Sequence, residues 1–216
     1  MLVSEIIDDV ISSELRQAGV ANIGIEGSRD AVQTQNFKSL LSYVNQANLA
    51  IHKRFTLITK EVLIQTYPGV LQYTLPNDTI TPLIAELRDG TNVTLNDEQT
   101  LLFSIFTPSP FIILLSGDVP VSVFDGSVQS QISILYSAAP SRVTALTEYL
   151  QLSRLYIEAL SYYIAHKAFS SLSSMNNTES SRYLQLYEKS CKDIEEYGLL
   201  AEDTISNSKL SDRGFV

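Results

Sequence analysis

A chain of 216 residues with 44% apolar and 18% charged residues can build one sizeable core, or a core with an inserted subdomain, but not comfortably two independent domains. Its formal charge of −9, with no basic cluster longer than His52-Lys53-Arg54, argues against sequence-specific duplex binding, because such a surface repels phosphate. The one cysteine, Cys191, cannot close an internal disulfide, no secretory apolar segment opens the chain, and the longest apolar runs fall far short of the ~20 residues a membrane helix needs. Cytoplasm-like conditions and no membrane span are therefore expected.

Ile6, Ile7, Val10, Ile11 and Leu15 recur at helical spacing behind Ser4, and Gly19 suits a C-cap, so the pattern predicts a helix over about residues 4–18. Val20 to Gln33 reads as a loop with a short extended piece at Ile23–Ile25. A second helix begins near Thr34 or Asn36 and carries Phe37, Leu40, Leu41, Val44, Ala47, Ile51 and Phe55 on one face.

Between Thr59 and about Ser137 the period changes to two. Strand patterns occur at Val62–Ile64, 82–87, 93–95, 101–106, 111–115 and 128–136, with turn chemistry at Asp89-Gly90, Asn96-Asp97, Pro108–Pro110 and Asp125-Gly126. The stretch from Thr66 to Asp78 reads as a tight hairpin about Pro68-Gly69. Asp118 and Asp125 are the only charged residues between Thr100 and Ser141, so something is expected to cover this apolar sheet, which would otherwise invite aggregation.

Helical spacing returns from Thr147, a candidate cap, to about Leu172, with Leu152, Leu155, Tyr156, Ala159, Tyr163 and Phe169 on one broad face. A fourth helix runs from about Thr178 to Leu200 with Tyr183, Tyr187, Cys191, Ile194 and Tyr197, and the short connection favours antiparallel packing of the two. Residues 202–216 lack periodicity and read as an arm. Tyr149, Tyr156, Tyr162, Tyr163, Tyr183, Tyr187 and Tyr197 are more rings than one helix pair can bury on facing sides, so part of them is expected at a subunit interface.

No pattern supports catalysis. His52, His166 and Cys191 fall in three separate helices, which argues against a zinc site, and the acidic neighbours of Cys191 would raise rather than lower its thiol pKa. Phosphate-cradling glycine motifs are absent, and pairs such as Asp8-Asp9 or Glu195-Glu196 point about 100° apart on a helix. No catalytic residue, cofactor or metal ligand is expected.

The order of the pieces matches a family. Leu41-x-x-Val44-Asn45-x-Ala47-x-x-x-Ile51, a strand at Thr59–Gln65, and Gly69-x-x-x-Tyr73-x-Leu75-Pro76-x-Asp78 resemble the front half of head-to-tail adaptor proteins of short-tailed bacteriophages. Leu146-Thr147-Glu148-Tyr149, Tyr162-Tyr163-x-x-x-x-x-Ala168 and Glu179-x-x-x-Tyr183-x-x-x-Tyr187 resemble that family's later paired helices. The likeness is to the tail tubular protein A, tail accessory factor or neck ring type, and covers roughly residues 35–200; the first 33 residues fall outside it.

The resemblance implies an α+β fold: an antiparallel bundle of about four helices from residues 1–58 and 140–201, a β-rich insertion at 59–139, and a C-terminal arm at 202–216. It further implies a ring of about twelve subunits in the virion neck, assembled in host cytoplasm, meeting the portal and a tail nozzle or next ring. DNA would traverse the channel without specific binding. Partner contacts are expected at Lys209, Arg213, Phe215 and Val216 of the arm and at Tyr73 and Leu75 of the hairpin. The alternatives are a virion-borne cell-wall hydrolase, for which no residue speaks, and an oligomeric binding module unrelated to phage.

Overall fold

The computed structural model describes residues 1–15, 31–87, 90–97, 103–117, 122–124, 127–129, 131–172 and 177–196. The expected cap at Gly19, the extended piece at Ile23–Ile25, the turn residues Asp89, Asp125 and Gly126, Asp118, Tyr197 and the whole of 202–216 lie outside them.

Four helices and nine strands are described: α1 (Val3–Ser12), α2 (Ala31–Arg54), β1 (Thr59–Gln65), β2 (Gln72–Thr74), β3 (Thr79–Leu87), β4 (Asn92–Val93), β5 (Ile105–Ser109), β6 (Ile112–Leu115), β7 (Ser122–Phe124), β8 (Ser127–Gln129), β9 (Gln131–Ala138), α3 (Ile157–Leu172) and α4 (Asn177–Glu196). The fold is mixed α+β with antiparallel sheets. Two compact units divide it, Met1–Ile51 with Arg142–Val216, and His52–Ser141.

In the first unit α1 buries Val3, Ile6, Ile7 and Val10, as its spacing requires. It stops at Ser12, short of residue 18, where the Ser12 and Ser13 hydroxyls both donate to the Asp9 carbonyl. Helix α2 buries Leu40, Val44, Ala47 and Ile51 of its expected face. Helix α3 begins ten residues later than the candidate cap at Thr147. Leu146–Leu150 is instead a strap made of a turn and a bridge of Tyr149 to Leu2: Val3 N–H donates to Glu148 O, Ser4 N–H to Leu146 O, and Leu150 N–H to Met1 O, each at 2.9–3.1 Å. Backbone groups used across the strap are lost to a first helical turn. The Glu148 carboxylate folds back onto Thr144 N–H, Thr144 Oγ1 and Ala145 N–H, and the Thr144 hydroxyl above all holds it below its ordinary pKa. The true start is Ser153, whose hydroxyl accepts from Leu155 N–H ahead of a 3-10 turn at Arg154–Tyr156.

Asn45 does the long-range joining. Its Oδ1 accepts from Val143 N–H at 2.8 Å and its Nδ2 donates to Val143 O at 2.8 Å, so one side chain satisfies both backbone groups of a residue 98 positions away. Helices α3 and α4 are joined by His166 Nδ1, which lies 2.9 Å from Ser180 O and 3.0 Å from Ser180 Oγ.

The described tyrosines of this group divide between core and surface. Tyr156, Tyr183 and Tyr187 are buried; Phe169 stacks on Tyr183 at 5.3 Å between centroids and Tyr163 meets Tyr187 edge-on at 5.0 Å. The third partner that a two-helix reading lacked is the segment after α1, where the Tyr183 hydroxyl donates to Glu14 O at 3.2 Å. Tyr149 alone among the described tyrosines of this group is strongly exposed, at 70%.

Burial first, then the carboxyl side chains of Glu158 and Glu14 respectively, push the Tyr162 and Tyr183 phenols up to about 12. A folded-state pKa above the ordinary 10.0 means that their stabilisation is complete below about pH 10 and is lost as pH rises through about 12. Absorbance titration of the eleven tyrosines should show a late-ionising fraction that shrinks in Tyr183→Phe, with urea stability falling over the same window. Ionisation of every tyrosine together near pH 10 in the folded protein would contradict this.

In the second unit a four-stranded sheet, in the order β1-β9-β3-β4, faces a three-stranded sheet, β2-β6-β5, with β7 and β8 forming a separate hairpin. Ile64, Ala85, Ile132 and Ile134 of the first sheet share one core with Ile105, Ile113 and Leu115 of the second and with Leu75 and Phe103. The scarcity of charge thus has an internal cause. The two sheets cover each other, and the expected bare apolar sheet is largely buried within its own unit. The Thr66–Asp78 hairpin is also corrected. Its turn exists, with Gly69 at φ +77° and Val70 N–H donating to Tyr67 O at 3.1 Å. Its flanks, however, belong to different sheets: β1 pairs with β9 and β2 with β6, so the segment is a corner between sheets.

Candidate interaction surface

The residues of the Gly69-to-Asp78 motif can be followed one by one. Gly69 supplies the left-handed backbone the corner needs, at a point open enough that nothing lies within 4 Å of a built Cβ. The Tyr73 hydroxyl accepts from Tyr67 N–H at 2.8 Å and closes the corner from inside. Leu75 is 5% exposed and sits in the core, its N–H donating to Phe111 O. Pro76 O accepts from Thr79 N–H to turn the chain into β3. Asp78 takes Lys60 Nζ at 2.6 Å and the Tyr136 hydroxyl at 3.3 Å, and its carbonyl accepts from Ala139 N–H, tying the turn to the start of β1 and the end of β9. The Lys60 ammonium holds the Asp78 carboxyl below its ordinary pKa.

The motif is therefore a scaffold. Of the two contact residues expected there, Leu75 is committed to the core and Tyr73 is half-buried. Lys209, Arg213, Phe215 and Val216 lie outside the described residues. What the scaffold presents is the corner itself. Tyr67 is 62% exposed and Val70 and Leu71 stand out beside it, while the exposed Phe111, at the turn between β5 and β6, lies beside Leu75 at the opposite end of β2. Tyr67, Val70 and Leu71 beside Pro-Gly look in sequence like ordinary strand ends; the signal available was Tyr-Pro-Gly-Val-Leu, which places three large apolar side chains on a turn.

This corner lies at the Gln65/Gln131 end of the β1–β9 ladder, while the chain passes into and out of the unit near the Thr59/Ser137 end. A second exposed apolar row runs across the outer face of the larger sheet. Leu135 of β9 stands between Glu61 of β1 and Ile84 of β3, and Ser133 stands between Leu63 and Glu86. The Ser133 hydroxyl donates to the Glu61 carboxylate. Leu63 is 66% exposed.

Among the described residues no group of three or more His, Cys, Asp or Glu side chains converges to hold a metal ion, and no helix is long and apolar enough to cross a membrane. Apolar side chains displayed on a hydrogen-bonded corner and sheet face offer surface on which a partner can pack. Over residues 1–208 the chain matches the family model of the SU10 adaptor protein and belongs to that family, a phage head-to-tail adaptor family of structural virion proteins with phage assembly partners and a place in the virion neck. No curated protein matches the chain. The match includes the first 33 residues, which the resemblance had left outside, and the pairing of Met1–Ser4 with Leu146–Leu150 gives the first four of them a place in the helical unit.

Proposed function

We propose that this chain is the repeating subunit of a ring in the virion neck, bound on one side to the portal and on the other to the tail nozzle or a further ring, as in the tail tubular protein A type. In this reading the helices of the first unit form the bundle of the ring body, and residues 59–139 are the insertion that meets neighbouring proteins. The family match over residues 1–208 carries the reading. The exposed Tyr67, Val70 and Leu71 on a unit whose core is otherwise self-covered support it, because apolar side chains grouped on a surface suit contact with a partner. So does the net charge of −9, which lets DNA pass a channel without being held. Residues 202–216, with Lys209, Arg213, Phe215 and Val216, are an arm that contacts a neighbouring protein of this assembly. Electron microscopy of the purified chain mixed with portal rings tests it: an added annular layer on the portal is the expected image, and portals that stay bare overturn it.

A further inference from the structure

We propose that the free edge of β1 seats residues 204–210 of a second copy of this chain as an added strand, an inference that rests on the ring reading. β1 is the outermost strand of its sheet on one side, with seven residues, no proline and no strand beyond it among the described residues. The other edges are less suited. β4 has two residues and β2 three, and the far side of β5 is met by Leu95 and Asn96 through a parallel bridge at Ile105 and the Asn96 N–H bond to Ile105 O. A long edge with one face packed offers a ladder of backbone donors and acceptors to an incoming segment. Edges are commonly guarded by lysine, but Lys60 is drawn to Asp78 at 2.6 Å. The outer row left beside the edge is Glu61, Leu63 and Gln65, one acid and one large exposed apolar side chain.

The residues that follow α4 suit this edge. Thr204-Ile205-Ser206-Asn207-Ser208-Lys209-Leu210 contains no proline or glycine and begins with two β-branched residues. Lys209 is the one charged residue of 204–210, a positive charge that complements Glu61 in the outer row of β1. Residues 197–203, between the described end of α4 and the segment, give it a reach of about 23–25 Å when extended. Donor segment and acceptor edge are different surfaces, so the contact is head-to-tail and repeats around a ring.

Disulfide trapping tests this on the full chain in a Cys191→Ser background. Leu63→Cys is combined in turn with Ile205→Cys, Ser206→Cys and Asn207→Cys, and portal-docked rings are oxidised and run on non-reducing gels. A ladder of covalent multimers in at least one combination is expected. A disulfide at monomer mass would overturn the second-copy assignment, and docked rings without any cross-link would overturn the edge assignment while leaving the ring reading intact. Failure to form rings would overturn the ring reading and this inference with it. Leu63→Lys, at a site exposed enough to leave the fold unaltered, should weaken self-association about tenfold, a loss of ~1.4 kcal/mol; unchanged association would also count against the proposal.

Discussion

Ile134→Ala is expected to destabilise the β unit by ~2–5 kcal/mol, read as a fall in the urea midpoint at unchanged slope. Ile134 is fully buried on the central strand β9, opposite Val62 of β1 and Ala85 of β3, where both sheets share their core. Removing its side chain leaves a cavity that two hydrogen-bonded neighbours cannot collapse into. Leu63→Ala, one pair along on β1 but pointing outward, should stay within about 0.5 kcal/mol of the parent. Equal losses at the two positions would mean that the outer face of the sheet is covered as well as the inner one, and would contradict the exposure of Leu63.

Asn45→Ala is expected to cost ~2–4 kcal/mol in the same measurement, although the side chain is only half-buried. The loss comes from Val143, a buried residue whose N–H and C=O are both satisfied by Asn45 and would have no replacement in an alanine variant. Asn45→Asp discriminates the cause. It keeps an acceptor for Val143 N–H but turns a second oxygen toward Val143 O, so it should recover little of the loss. Full recovery by aspartate would mean that size, and not the paired donor and acceptor, is what the position needs.

Much of the local structure was legible. Leu40, Val44, Ala47 and Ile51 along α2, and Phe55 just past its end, are buried as their spacing demands, and the period-two region is β-structure. What stayed hidden was pairing across distance. Pro68-Gly69 announces a turn but says nothing of which strand each flank joins, so a corner between two sheets read as a hairpin. Thr147 has the chemistry of a cap, yet the N-terminal residues, more than 140 positions away, take the backbone groups a helix would need there. The same holds for the surface. Tyr73 and Leu75 stand out in sequence because the fold needs them, whereas the residues on display, Tyr67, Val70, Leu71 and Phe111, are distinguished only by exposure, which the sheet order decides.

If the chain works by docking its exposed corner in the phage neck, blunting that corner must abolish docking without touching the fold. Portal rings are imaged after mixing with the parent chain and with a Tyr67→Ser, Leu71→Asp variant. An extra annular layer on the portal is expected with the parent, and bare portals with the variant despite an unchanged urea midpoint. Bare portals with the parent, or equal decoration by the variant, would contradict docking through the corner.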